Sequence, residues 1–180
     1  MDTPKLERYL QSFGNNVVKE SKSMLSSAKG STALGGSIRV EVNTEMEGYS
    51  VKFYMLDYGE YLDKGVSGNK VKRTYTDYNL QTRTSPYSYT TKQPPPDILS
   101  RWIKKKGIKP KGLGRGRDKN TGQYISNLAF LIGRKIKARG IPSISFFSEP
   151  LGVNYEKLKN ELLEEFKDDV QTYITTFYRP

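Results

Sequence analysis

Residues 57–68 read Asp57-Tyr58-Gly59-Glu60-Tyr61-Leu62-Asp63-Lys64-Gly65-Val66-Ser67-Gly68, and the rest of the chain divides around them. Immediately upstream, Tyr49, Val51, Phe53 and Met55 alternate with Ser50, Lys52 and Tyr54, the period-two pattern of a strand with one buried face. That strand runs into the quoted stretch, where Tyr58, Tyr61 and Leu62 stand at i, i+3 and i+4 on one face of a single helical turn. Gly65 supplies the left-handed residue that ends such a turn, so the stretch reads as a strand-to-helix corner.

Before this corner, Leu6, Tyr9, Leu10, Phe13, Val17, Met24 and Leu25 recur at helical spacing behind Thr3 and Pro4, a cap followed by a first-turn proline. The pattern predicts an amphipathic helix to about Ala28, broken by the small residues from Gly30 to Gly36. Ile38, Val40 and Val42 then alternate with Ser37, Arg39 and Glu41, a half-buried strand that Asn43 to Gly48 can turn back into its successor.

After the corner the composition changes. Residues 69–93 are polar, with Tyr75, Tyr78, Tyr87 and Tyr89 set among threonines and bases, which suits an extended arm such as a long β-hairpin. Pro94, Pro95 and Pro96 stop it, and Asp97 opens a short helix whose apolar face is Ile98, Leu99, Trp102 and Ile103, with Trp102 read as core and Gly107 as the stop. The chain from about 104 to 120 is a glycine-loosened basic loop carrying Lys104, Lys105, Lys106, Lys109, Lys111, Arg115, Arg117 and Lys119. It matches neither a P-loop nor a dinucleotide fingerprint, and a solvated basic loop is its plainest reading. Tyr124, Ile125, Leu128, Ala129, Ile132 and Ile136 predict a further helix with Arg134, Lys135, Lys137 and Arg139 where the helix dipole favours cations. Ser143 to Phe147 reads as a strand, Pro150 as its separator, and a last helix presents Tyr155, Leu158, Leu162, Leu163, Phe166, Val170, Tyr173, Ile174 and Phe177 on one face.

The 180 residues suit one domain, spanning 1–180, and the apolar share of 35% is low enough that some segments are expected to order only against a partner. There is no cysteine and no histidine, which removes disulfides, thiolate chemistry, the imidazole base and the commonest transition-metal ligand. No apolar run approaches the roughly 20 residues of a membrane span, and no signal-peptide pattern opens the chain, so a soluble protein made and kept in the cytoplasm, or in a particle assembled there, is expected. The net charge of +11 is unevenly spread. Residues 1–64 carry 8 Lys and Arg against 9 Asp and Glu, residues 65–152 carry 18 against 4, and residues 153–180 carry 4 against 6. The excess in the middle calls for an anionic neighbour, whether nucleic acid or acidic protein.

Four stretches taken in order resemble the neck and tail-completion (minor tail) proteins of tailed bacteriophages. They are Ala33-Leu34-Gly35-Gly36-Ser37-Ile38; the corner Asp57 to Gly65 with Tyr58, Gly59, Tyr61 and Gly65; Ile98 to Ile108; and Leu128 to Gly140 followed by Ser145-Phe146-Phe147 and the last helix. The resemblance implies an α+β fold, an antiparallel β-sheet flanked by an N-terminal helix, two short central helices and a long C-terminal helix. It also implies a structural role in the virion's head-to-tail joint, as a ring of six or twelve copies around the DNA channel, assembled in the host cytoplasm against portal, neck or tail neighbours. Non-specific contact with packaged double-stranded DNA would then fall to the basic loop, or that loop would dock on an acidic neighbour.

A free-standing basic nucleic-acid-binding protein is the competing reading, with the interleaved aromatics stacking on bases. Enzyme chemistry has less to draw on. The acidic pairs Glu45 and Glu47, Glu164 and Glu165, and Asp168 and Asp169 could hold Mg²⁺, but a turn and the polar face of the last helix are where solvated charge is expected. No catalytic residue, cofactor or metal is assigned.

Overall fold

A computed structural model describes residues 4–30, 32–45, 48–108, 115–117 and 124–177. The elements in chain order are α1 (Pro4–Lys29), α2 (Ala33–Ser37), β1 (Arg39–Glu45), β2 (Gly48–Tyr54), α3 (Gly59–Asp63), β3 (Thr74–Thr76), β4 (Thr82–Thr84), α4 (Pro96–Lys105), β5 (Arg115–Arg117), β6 (Tyr124–Ser126), α5 (Asn127–Arg139) and α6 (Ser148–Phe177). The class is α+β. The described strands form three separate two-stranded sheets, β1 with β2, β3 with β4 and β5 with β6, where one sheet was expected. Contacts divide the chain into two compact units, the first built from residues 1–63, 75–83 and 144–180 and the second from 64–74 and 84–143.

In the first unit, α1 packs along α6 and on the hairpin of β1 and β2, whose antiparallel register pairs Val40 with Phe53 and Val42 with Val51. The buried stripe of α1, Leu10, Phe13, Val17 and Leu25, follows the predicted spacing. Phe13, Phe53 and Phe147 meet edge to face, with ring centres 6.3 and 5.4 Å apart. Beside them lies the core of Leu25, Leu34, Ile38 and Phe146, flanked by Met55, Leu62, Ile144 and Phe147. Burying each such side chain contributes about 1.5–3 kcal/mol. Three of the four stretches quoted above therefore supply one core.

Two carboxylates distant in sequence cap the two long helices of this unit. Asp63, at the end of α3, accepts the backbone N–H of Phe147 at 2.8 Å and of Ser148 at 3.1 Å, together with the Ser148 hydroxyl. Asp169 accepts the N–H of Leu6 at 3.0 Å and of Lys5 at 3.4 Å. Each places a negative group on unsatisfied first-turn amides, where the helix dipole also favours it.

Several expectations are corrected here. The segment 143–147 is not a strand: Ser145 has φ +51°, its Oγ accepts the Thr76 N–H at 2.9 Å, and the resulting kink turns Phe146 into the core. Pro150 lies within the first turn of α6, where its missing N–H leaves no helical bond unmade. Tyr155, Leu163 and Phe166 are exposed on α6, Leu163 at 73%, so the apolar face is wider than what α1 covers. Within 30–36, Thr32 caps the short α2, its hydroxyl accepting Gly35 N–H at 3.2 Å. Asp169 belongs to a cap rather than to a solvated polar face, while Asp168 pairs with Lys5 Nζ at 3.3 Å. Thr3, Glu47 and the structure of the 46–47 turn lie outside the described residues, as does the side chain of Glu165.

In the second unit, Val66 and Ile141 exchange both backbone hydrogen bonds, at 2.9 and 2.8 Å, and Ser67 lies beside Ser88 in a parallel bridge. Helices α4 and α5 pack together, with Ile103 and Ala129 buried and Leu99 against Gly133. Tyr124 and Ile125, expected at the head of a helix, form β6 instead, paired with β5 in the register Arg117 to Tyr124 and Arg115 to Ser126. Trp102 is 45% exposed and Ile98 53%, so the lone tryptophan is not core. Ile103 and Leu99 cover the buried side of α4, and Trp102 with Ile98 falls on the other.

Candidate functional site

The units differ sharply in charge. The segments of the second carry 18 Lys and Arg against Asp97 and Asp118, a formal +16, and those of the first carry 12 against 17, a formal −5. Asp97, the second unit's one carboxylate among the described residues, is taken by Arg101 at 3.2 Å. The first unit pairs part of its charge internally, as in Arg83 with Asp77, Lys52 with Glu45 and Lys159 with Glu156. With 18 bases and only two carboxylates in its segments, the second unit cannot neutralise its formal charge from within.

Among the described residues it carries an open groove of about 340 Å³ between residues 69–70 and α5, lined by Asn69, Lys70, Gln93, Phe130, Arg134, Lys137 and Ala138. Glycine makes the approach of these two walls possible. A Cβ on Gly140, which has φ +70°, would stand 2.6 Å from the Gly68 nitrogen, and one on Gly68 would run into the Ala138 carbonyl. Through that approach every carbonyl in the last turn of α5 finds a donor. Ile136 accepts from Gly140 N–H at 2.7 Å, Lys137 from Asn69 N–H at 2.9 Å, Ala138 from Lys70 N–H at 3.0 Å and Arg139 from Arg73 Nε at 2.8 Å. The groove wall is fixed, and the lone pairs that give a helix C-terminus its negative character are occupied.

Among the cations lining it, Lys137 donates from Nζ to the Thr91 carbonyl at 2.6 Å, and the Arg134 guanidinium lies over the Phe130 ring, 5.9 Å from its centre. Lys70 and Arg134 make no ion pair among the described residues. Phe130 is itself 45% exposed. Compared with family models, curated proteins and solved structures, the chain matches none. No group of three Asp or Glu able to hold a metal ion occurs among the described residues, and no described helix is long and apolar enough to cross a membrane.

The residues singled out from sequence are spread between the units. Lys104, Lys105 and Lys106 are exposed at the end of α4, and Arg115 and Arg117 lie in β5, so part of the expected loop is a hairpin. Lys109, Lys111 and Lys119 lie outside the described residues. Tyr58 and Tyr61 are exposed in the first unit, Gly59 is buried there against Met55 and Leu34, and Gly65, with φ +70°, sits in the second against Ser143. The 69–93 stretch is folded into both units. Tyr78 is exposed at 54% and Tyr75 half-buried in the first, while Tyr87 and Tyr89 are half-buried in the second, where burial raises the Tyr89 phenol above its ordinary pKa. Asp77 and Ser85 are buried polar anchors of that stretch, which is therefore no free arm.

The groove was not legible in the sequence as a site. Lys70 fell in the polar stretch, Arg134 and Lys137 read as complements to a helix dipole, and only the pairing of Gly68 with Gly140 joins them. The usable signal was the Asn69-Lys70 pair directly after Gly68 together with bases at i and i+3 directly before Gly140.

Proposed function

We propose that the chain is a structural component of the head-to-tail joint of a tailed-phage particle, a neck or tail-completion subunit assembled in the host cytoplasm and working as a ring around the DNA channel. The observation that carries this reading is the division of charge between the units, +16 against −5. A closed ring needs two different and complementary surfaces on each subunit, and opposite net charges supply a pairing that also suppresses wrong partners. The meeting of the corner, the 33–38 stretch and Phe146 in one core supports the resemblance on which the reading also draws. No catalytic residue, cofactor or metal enters this role.

Native mass spectrometry of the purified chain, alone and with portal or tail neighbours, tests it beside electron microscopy of the particle's joint. A ring of six or twelve copies located at the joint is the expected result. A strict monomer absent from mature particles overturns the proposal. The second reading, a free-standing nucleic-acid-binding protein, is favoured by one observation of its own, the exposure of Trp102 and Phe130 on helices rich in lysine and arginine. It predicts nucleic-acid binding by a chain that never enters particles.

A further inference from the structure

We infer that the groove between residues 69–70 and α5 is a binding site for the phosphodiester backbone of double-stranded DNA, read without regard to base sequence. The choice of duplex over single strand rests on the joint-protein reading; the choice of phosphate rests on the groove itself.

Five of its lining side chains, Asn69, Lys70, Gln93, Arg134 and Lys137, offer N–H donors, and no carboxylate lines it. Arginine, lysine, asparagine and glutamine are the side chains that commonly contact phosphate oxygens. An acidic protein partner would ask for an apolar centre to the interface, and here the apolar lining is Phe130 and Ala138 alone. With Arg134 over the Phe130 face, the outer N–H edges of its fork remain open to an anion. Lys137 spends one of its three donors on the Thr91 carbonyl and keeps two.

The position would be wrong for an anion if the end of α5 were bare, because a helix C-terminus carries about half a negative charge. The amides of Asn69 and Lys70 and the Arg73 side chain remove that objection by occupying its carbonyls. The same bonds fix the backbone that carries Lys70 beside the last turns of α5, which carry Arg134, so binding has to order the side chains and not the main chain. The site differs from the 104–119 loop, for which the resemblance left DNA and an acidic neighbour both open.

Fluorescence anisotropy of the full chain with two labelled duplexes of unrelated sequence, across a salt series, tests the site. The parent should bind both alike, with affinity falling linearly on logarithmic axes as salt rises. The double variant Lys70→Gln, Arg134→Gln should bind about tenfold more weakly near ~0.1 M salt with a slope shallower by roughly two, and Lys70→Arg, Arg134→Lys should stay near the parent. Melting curves check that the variants fold. Hydrogen exchange of the parent with and without duplex gives a second readout, with slowed exchange expected at 69–70 and along 130–138. Unchanged affinity and slope in the double variant, protection confined to other segments, or displacement of duplex by polyglutamate as effectively as by unlabelled duplex would each overturn the inference, the last in favour of an acidic protein. Particle incorporation of the same variant separates this from the role proposed above. A groove that binds duplex in a chain absent from particles sinks only the joint role, and a variant that binds duplex like the parent yet assembles normally sinks only the groove.

Discussion

Asp63 and Ser148 stand 85 positions apart in the chain, yet the Asp63 carboxylate takes both the backbone N–H and the hydroxyl of Ser148 and so opens the longest helix of the protein. Asp169 near the other end of that helix does the same for α1 through the Leu6 amide. Helix ends capped by local residues can form before the fold exists, whereas these two can be satisfied only once the first unit has closed. The caps therefore couple helix formation to tertiary packing.

Replacing Asp63 by alanine leaves the Phe147 and Ser148 amides unpaired in a buried place and should lower stability by about 1–3 kcal/mol. Asp63→Asn keeps an acceptor and should lose less. Asp169→Ala should also lose less, since one of its two bonds is long at 3.4 Å. Urea unfolding followed by circular dichroism orders the three variants, and a neutral Asp63→Ala would show that water replaces the cap.

Gly140 and Gly30 share a left-handed backbone, with φ of +70° and +73°, and differ in their surroundings. At Gly30 a Cβ would meet nothing within 4 Å, so Gly30→Ala should cost only the backbone strain, about 1 kcal/mol. At Gly140 a Cβ would strike the Val66 carbonyl and stand 2.6 Å from the Gly68 nitrogen, both rigid backbone. Gly140→Ala should therefore cost more than ~3 kcal/mol and open the groove wall. Equal melting temperatures for the two variants would contradict the close approach.

The elements legible in the sequence were those with a long, regular period and a local stop. Residues of α1 repeat over 26 positions and β1 and β2 alternate cleanly, and all three form, although Ser37, read into the first strand, ends α2, and β1 runs on to Glu45 through part of the expected turn. The 143–147 stretch misled because its alternation of serine with isoleucine and phenylalanine has the strand period, while a left-handed Ser145 turns the chain instead. Trp102 misled because an aromatic on a helix's apolar side is usually inside, and nothing local reveals that Ile103, 5% exposed, turns inward on α4 while Trp102 does not. The groove depends on Gly68 meeting Gly140 across 72 positions, a contact that no window of sequence contains.

The turn after β3 should respond to acid in a defined direction. Asp77 is held below its ordinary carboxylate pKa first by the Gln81 N–H, then by Arg83 and with help from the Asn79 N–H. A carboxylate whose folded pKa is depressed contributes its stabilisation above its unfolded pKa and loses it as pH falls through the folded one. The Asn79 and Gln81 amide resonances should therefore stay fixed through the ordinary aspartate range and shift only below it. Asp77→Asn should abolish that acid-side shift, and a midpoint at or above the ordinary aspartate value would contradict the geometry.

Trp102 is the chain's lone tryptophan, so fluorescence reports on it without ambiguity. At 45% exposure and flanked by Arg101 and Lys105 on α4 and Lys106 just beyond it, its indole should emit toward the solvated end of the tryptophan range. The neighbouring cations concentrate iodide and repel caesium, so iodide should quench it more strongly than caesium, and the difference should shrink as salt screens the field. Stability gives the complementary test. Trp102→Ala removes a side chain that the fold does not enclose and should cost less than ~1 kcal/mol, whereas Ile103→Ala empties a position only 5% exposed and should cost about 2–5 kcal/mol. A larger loss at Trp102 than at Ile103 would mean that the indole packs inside, and the outward face of α4 would then have no aromatic to offer a partner.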